Sequence, residues 1–283
     1  MAYEFRPRGV GEIVDAAFRI YRNHWWTLVK SVGVILLPLG FLQAGLQSLS
    51  QYALFRLGNM GGDASPGAVL GTLGLTLFGQ VPALLFVLAN LATEAIVTKE
   101  AAMACHGEEP TLNAAWAAVK ERLGQIIGAG LLFLIMTVLG FCCCCIGAPV
   151  VMVFFAPLTA LILIERAGVG QAIQRSFNLV KAEFWRVLGV MLVLFLILGV
   201  VGAALWLVVG FALGMSAGRD LLRFISAMSG ANPLVYFLIS FFTTIYSIVL
   251  APLYPIGRTL IYYDLRVRLE GYDLEQATVG TES

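Results

Sequence analysis

Five long apolar stretches constrain this chain more than any other feature. They run roughly from Leu28 to Leu49, Val69 to Val97, Leu123 to Ile164, Val187 to Met215 and Leu234 to Tyr262. A helix rises about 1.5 Å per residue and the hydrocarbon core of a bilayer is about 30 Å thick, so about 20 apolar residues suffice to cross it. Each stretch reaches that length. The third is long enough for two crossings and carries Gly147 and Pro149 near its middle, where a helix breaks, so it predicts a hairpin. The expectation is an all-α integral membrane protein with six transmembrane helices, since helices satisfy their own backbone groups in lipid. The charged fraction agrees: 12% of residues are charged, against roughly a quarter in soluble domains.

The distribution of basic residues sets an orientation, because short cytoplasmic segments collect Lys and Arg. With six spans, the ends and even-numbered loops hold 15 of the 18 Lys and Arg residues. The opposite side holds only Arg56, Arg219 and Arg223. Both termini are therefore expected in the cytoplasm, and the location is the plasma or inner membrane. About two dozen amphipathic residues, through Trp26, precede the first apolar stretch, so that stretch is expected to remain as a span rather than act as a cleaved signal. The near-balanced net charge of +1 argues against nucleic acid as a partner.

A repeat emerges next. Gly9-Val10-Gly11 through Trp25-Trp26 aligns without a gap on Gly168-Val169-Gly170 through Phe184-Trp185, and a third copy runs from Pro110 to Gly124. The shared apolar columns are Val14, Leu112, Ile173; Phe18, Trp116, Phe177; Tyr21, Val119, Val180; and Trp25, Leu123, Phe184. Spacings of 4, 3 and 4 line one helical face. A basic column, Arg22, Lys120 and Lys181, flanks it. That combination suits a helix lying in the membrane interface. The expected unit is one interfacial helix followed by two spans, used three times: residues 9–97, 110–164 and 168–264, with a cytosolic tail at 265–283. The expected interfacial anchors are Phe18, Trp25, Trp26, Trp116, Phe177, Phe184 and Trp185. The later even-numbered spans share Ala156-Pro157-Leu158 and Ala251-Pro252-Leu253, and Pro252 with Pro255 predicts a bend in the sixth span.

Three segments carry a family resemblance. They are Arg6-Pro7-Arg8-Gly9-Val10-Gly11 through Phe18, then Glu165-Arg166 to Arg175-Ser176-Phe177 and on to Phe184-Trp185-Arg186, and finally Tyr262-Tyr263-Asp264-Leu265-Arg266-Val267-Arg268 with Glu270-Gly271. Together they resemble the glycerophosphoryl diester phosphodiesterase membrane domain family of bacterial multi-pass proteins. The resemblance covers the membrane part. It implies no phosphodiesterase activity, since the catalytic barrel fused to some members has no counterpart here.

Motifs of enzyme chemistry are hard to find. His24 and His106 lack a Cys or carboxylate at ligand spacing, and no zinc-protease, nucleophile-elbow or phosphate-loop pattern occurs. His24 reads as part of an interfacial aromatic belt. Four adjacent thiols, Cys142 to Cys145, diverge by about 100° per residue on a helix and suit apolar packing better than a metal. No cofactor and no catalytic residue is expected. The polar candidates are charges at the cytosolic span ends: Glu94, Glu165, Arg166, Arg175, Arg258, Asp264 and Arg266. Ionisable groups there pair or line an aqueous cavity. Pairing is expected, with Arg175 and Arg258 as the first partners for Glu165 and Asp264. Gln43, Gln47, Gln80 and Asn90 inside the spans are polar but uncharged and suit bridges between helices.

These features point to a non-catalytic membrane protein, a scaffold or accessory component in contact with membrane lipids and with a membrane or cytosolic protein partner. A transporter, channel or lipid-handling protein is the alternative, and a membrane-embedded lipid enzyme comes third. The topology has a direct test: single cysteines introduced near Gly61 and near Thr278, in a background without native thiols, should be labelled from opposite sides of the membrane. Labelling of both from one side refutes six spans.

Overall fold

A computed structural model describes residues 5–60, 65–142, 147–217 and 232–272. These residues form helices α1 (Val10–Met60), α2 (Pro66–Cys105), α3 (Leu112–Cys142), α4 (Gly147–Phe154), α5 (Leu158–Ile164), α6 (Val169–Ala182), α7 (Phe184–Ala217), α8 (Pro233–Leu250) and α9 (Leu253–Glu270), and no strand occurs among them. Six helical runs are long and apolar enough to cross a membrane: 10–60, 66–105, 112–142, 147–164, 184–208 and 233–270. The helices outrun the apolar windows at both ends, because nothing in the amphipathic flanks stops them. Leu70, Leu77, Phe195 and Leu207 are among many large apolar side chains left exposed. Such a surface suits lipid rather than water.

The hairpin in the third apolar stretch is present. α3 ends at Cys142 and α4 begins at Gly147. A Cβ on Gly140 would stand within 3.0 Å of the Gly147 backbone, so the two arms touch main chain to main chain. Pro149 occupies the first turn of α4, where its missing N–H would have had no helical acceptor anyway.

The lead-in helices are two rather than three. His24 (φ −122°, ψ 19°) breaks the regular geometry inside α1, and Glu183 (φ −128°, ψ 35°) separates α6 from α7. The ungapped alignment of the first and third copies places these two residues opposite each other. Arg122 is their counterpart in the second copy, and α3 runs through it unbroken, so the separate helix expected there is absent. The breaks precede Trp25-Trp26 and Phe184-Trp185, whereas Leu123-Gly124 follows Arg122.

The buried face of these segments is also narrower than the aromatic columns suggest. Phe18, Trp116 and Phe177 are 37%, 42% and 48% exposed, while the residues just before them, Ala17, Ala115 and Ser176, are 0%, 0% and 2% exposed. This column of small side chains is buried beside Val14, Val119 and Val180 of the predicted apolar face, while the three rings stay partly on the surface. At the start of α1 the Glu12 carboxylate accepts the Gly9 N–H at 2.9 Å, closing one of the donors that a helix N-terminus leaves open.

Both later even-numbered runs break at their Ala-Pro-Leu sequence. α4 gives way to α5 at Phe155–Pro157, and α8 gives way to α9 at Ala251–Pro252. The sixth span therefore breaks where a bend was expected, and Pro255 falls harmlessly in the first turn of α9. The helix continues to Glu270, past the tail boundary expected at residue 265.

The chain forms two compact units. The first comprises Met1–Val32, Leu91–Ile197 and Leu250–Ser283; the second comprises Gly33–Asn90 and Leu198–Val249. In the first, α9 is the centre: Leu253, Ile256, Leu260, Tyr262, Tyr263, Asp264 and Leu265 are all buried, so this helix is enclosed on nearly every side. The second unit packs parts of α1, α2, α7 and α8. Ser50 Oγ donates to the Leu75 carbonyl at 3.3 Å, Tyr246 Oη donates to the Leu198 carbonyl at 2.9 Å, and Phe41 meets Phe237 and Phe241 edge-on.

Glycine sets one of these distances. A Cβ on Gly40 would overlap the Thr244 methyl. Gly40→Ala should therefore lower stability in detergent by about 1–3 kcal/mol, the cost of overpacking. Adding Thr244→Ser, which removes that methyl, should recover much of the loss in thermal unfolding.

Candidate functional site

Charged residues of the first unit form three groups on and around α9. The first surrounds the α4–α5 break. Ending a helix leaves carbonyls without intrahelical donors, and here they are taken by side chains. Ser176 Oγ donates to the Phe154 carbonyl. Arg258 Nη2 donates to the Phe155 carbonyl at 2.6 Å and Nε to the Ala156 carbonyl at 2.8 Å. The same guanidinium forms an ion pair with Glu94, whose Oε1 also accepts from Thr159 Oγ1 at 3.2 Å. A cavity of about 30 Å³ adjoins the pair, bounded by Leu91, Phe133 and Ile162 among others. It has room for about a water molecule.

Glu165 anchors the second group. Arg175 Nη2 donates to its Oε1 at 2.9 Å and Tyr262 Oη to the same oxygen at 3.0 Å. Arg175 also pairs with Glu270 at 2.9 Å, and Arg266 reaches Glu270 at 3.0 Å. The Arg266 guanidinium lies 4.2 Å from the Tyr272 ring centroid, within cation–π range. Hydrogen bonding to Glu165 outweighs the opposing cost of burial and holds Arg175 above its ordinary pKa.

Asp264, 3% exposed, is the hub of the third group. Arg186 Nε donates to it at 2.9 Å and Arg268 Nε at 3.1 Å. The Arg8 backbone N–H donates to its other oxygen at 2.9 Å, and Arg268 Nη2 donates to the Arg8 carbonyl at 3.2 Å. One carboxylate on α9 thus holds the segment before α1, the start of α7 and the last turn of α9. A buried charge is tolerable only with such a set of donors.

The structure brings together Glu94 with Arg258, and Glu165 with Arg175 and Arg266. It gives Asp264 to Arg186 and Arg268 instead of Arg258, whose position one and a half turns earlier on α9 faces the helix break. Arg166 stands apart. It is exposed, its φ is 55°, and its carbonyl accepts from Arg122 Nη1 at 2.7 Å. Among the expected anchors, Trp25, Trp26 and Trp185 are 51%, 64% and 80% exposed, while Phe184 is half-buried against Phe154.

Several participants escaped sequence reasoning. Arg8, Arg186 and Arg268 were visible in the segments that carry the family resemblance, but nothing there shows that they meet. Glu100 gives no local signal. It is fully buried on α2, accepts a hydrogen bond from Ser31 Oγ, and its Oε2 has no hydrogen-bond partner among the described residues. His106 follows α2 directly, with Nδ1 2.8 Å from the Ala102 carbonyl and its ring against Phe5 and Tyr263. Cys105 is a buried free thiol and Cys142 an exposed one; Cys143, Cys144 and Cys145 lie outside the described residues. No group of three or more His, Cys, Asp or Glu among the described residues could hold a metal ion.

Comparison with protein-family models, with curated proteins and with solved structures returned no match.

The network predicts unequal sensitivities. Asp264→Asn should destabilise the protein by about 3 kcal/mol or more, because it leaves Arg186 and Arg268 facing a neutral group. Glu165→Gln should cost less, since Arg175 and Arg266 keep Glu270. Unfolding in detergent measures both, and equal losses would contradict the geometry.

Proposed function

We propose that this chain is a non-catalytic accessory or scaffold component of the plasma or inner membrane, with both termini in the cytoplasm, and that it belongs with the glycerophosphoryl diester phosphodiesterase membrane domain proteins it resembles. One observation carries this reading. Charged residues from each of the three segments behind that resemblance close on one another: Arg8 from the opening, Glu165, Arg175 and Arg186 from the centre, and Asp264, Arg266, Arg268 and Glu270 from the end. Their donors and acceptors are spent on each other and on helix ends. A catalytic group needs a free position for substrate, and the space beside Glu94 and Arg258 admits about one water.

On this reading the network is a clasp that fixes the lead-in segments, and the exposed Phe18, Trp116 and Phe177 side chains contact lipid at the inner surface. A membrane or cytosolic protein partner would then engage a surface whose geometry the clasp maintains.

A second reading, a transporter, channel or lipid-handling protein, is favoured by a cavity of about 430 Å³ in the second unit. Gln43, Gln47, Tyr236 and Ser240 line it beside Phe86 and Trp206. Among the Lys, Arg, Asp and Glu of that unit, Arg56 is the one within the described residues, and it does not line the cavity.

Reconstitution separates the two. The full chain in liposomes containing fluorescently tagged phospholipid or diacylglycerol should show transbilayer movement no faster than protein-free vesicles. A protein-dependent acceleration that Gln43→Leu/Gln47→Leu abolishes would replace the accessory reading with the lipid-handling one.

A further inference from the structure

Beside the clasp, the first unit contains a cationic pocket that the clasp does not use. It has a volume of about 390 Å³ and is formed where three segments end or begin. Lys99 comes from the last turns of α2, Arg122 from α3, and Arg166 from the turn after α5. Ala118 and Leu163 contribute apolar walls, and Glu121 stands at the edge as the one acidic lining residue. No ion pair ties any of the three cations to a described carboxylate, whereas Arg175, Arg186, Arg258, Arg266 and Arg268 each have one.

Arg166 is held there at a cost. Its φ of 55° is the only positive value among described non-glycine residues, and side chains with a Cβ seldom adopt it. Arg122 Nη1 fixes that turn by donating to the Arg166 carbonyl, and it also donates to Gln125 Oε1 at 3.0 Å. These bonds occupy one nitrogen of Arg122 and leave Nη2 and Nε without an acceptor among the described residues. The turn carries Arg166 away from its neighbour Glu165, which pairs instead with Arg175. Cations that share a pocket without an ion pair, over an apolar wall and at the basic end of the spans, suit a phosphate better than a protein partner. Basic pockets between membrane helices on the cytoplasmic side bind anionic lipid head groups.

We infer that Lys99, Arg122 and Arg166 form a binding site for a phosphate group, supplied by an anionic phospholipid of the inner leaflet. It does not depend on the accessory reading, because a clasp and a lipid site use different residues.

The test uses the full chain in detergent titrated with phosphatidylglycerol, with bound lipid counted by native mass spectrometry. One tightly held lipid is expected. Lys99→Gln/Arg166→Gln should weaken it at least tenfold, at about fivefold per charge near a membrane surface. Arg19→Gln/Arg22→Gln, which removes the same charge from α1, should leave it in place. Glu121→Gln should tighten it severalfold. Inorganic phosphate, added as competitor, distinguishes the source: displacement at millimolar concentration supports a free-anion site, and resistance supports a lipid head group. Equal lipid retention by wild type and the Lys99/Arg166 variant, or equal loss in both double variants, overturns the proposal. Melting temperature without lipid, unchanged across the variants, excludes misfolding as the cause.

Discussion

The enclosure of α9 by the first unit is the constraint on which that unit depends. A helix with Arg258, Asp264, Arg266 and Arg268 on it can be surrounded only if every charge finds a partner as it is buried. Arg258 meets this demand by serving a second one, since the carbonyls freed at the α4–α5 break need donors and a guanidinium offers five in a fixed fork. Glu94 neutralises the same group from α2. The broken helix and the buried arginine thus solve each other's difficulty, and removing either would leave the other exposed to its full desolvation cost.

Asp264 extends the arrangement to chain segments distant in sequence. Its donors come from residues 8, 186 and 268, so the segment entering α1 and the start of α7 are fixed to one turn of one helix. Salt bridges at a solvated surface contribute little; this one is 3% exposed on its acidic side, and its value lies as much in specifying which segments meet as in net stability. The second unit is held together differently, by close approach at glycine, by hydroxyls donating to carbonyls and by aromatic contacts. Lipid removes the hydrophobic driving force between helices and leaves packing and hydrogen bonds to hold them.

The repeat shows how far local sequence reaches. The ungapped match of the first and third copies predicted a lead-in helix before a span in each, and the structure sets both lead-ins off at equivalent residues, His24 and Glu183. The same columns predicted a third lead-in helix, which α3, unbroken through Arg122, does not set apart. Apolar periodicity identifies a face and does not say whether the helix continues. The columns also drew attention to Phe18, Trp116 and Phe177, yet those rings stay partly exposed, and the buried face joins Val14, Val119 and Val180 of the columns with Ala17, Ala115 and Ser176. Small residues carry almost no hydropathy signal, although they decide how closely two backbones approach.

Span number and class were determined by the sequence alone, because the bilayer imposes a length and a polarity that twenty consecutive residues either satisfy or do not. The break points at Ala-Pro-Leu were legible for the same kind of reason: proline's missing N–H is a property of one residue. Which carboxylate meets which arginine was not. Glu165 and Arg175 lie ten residues apart and could be paired by inspection, but Asp264 is joined to Arg8 across 256 positions, and Arg166 is turned away from the carboxylate beside it. Only the tertiary structure decided those partners. Pairing energies act over a few ångströms in space, and a linear sequence carries no record of which distant segments that space contains.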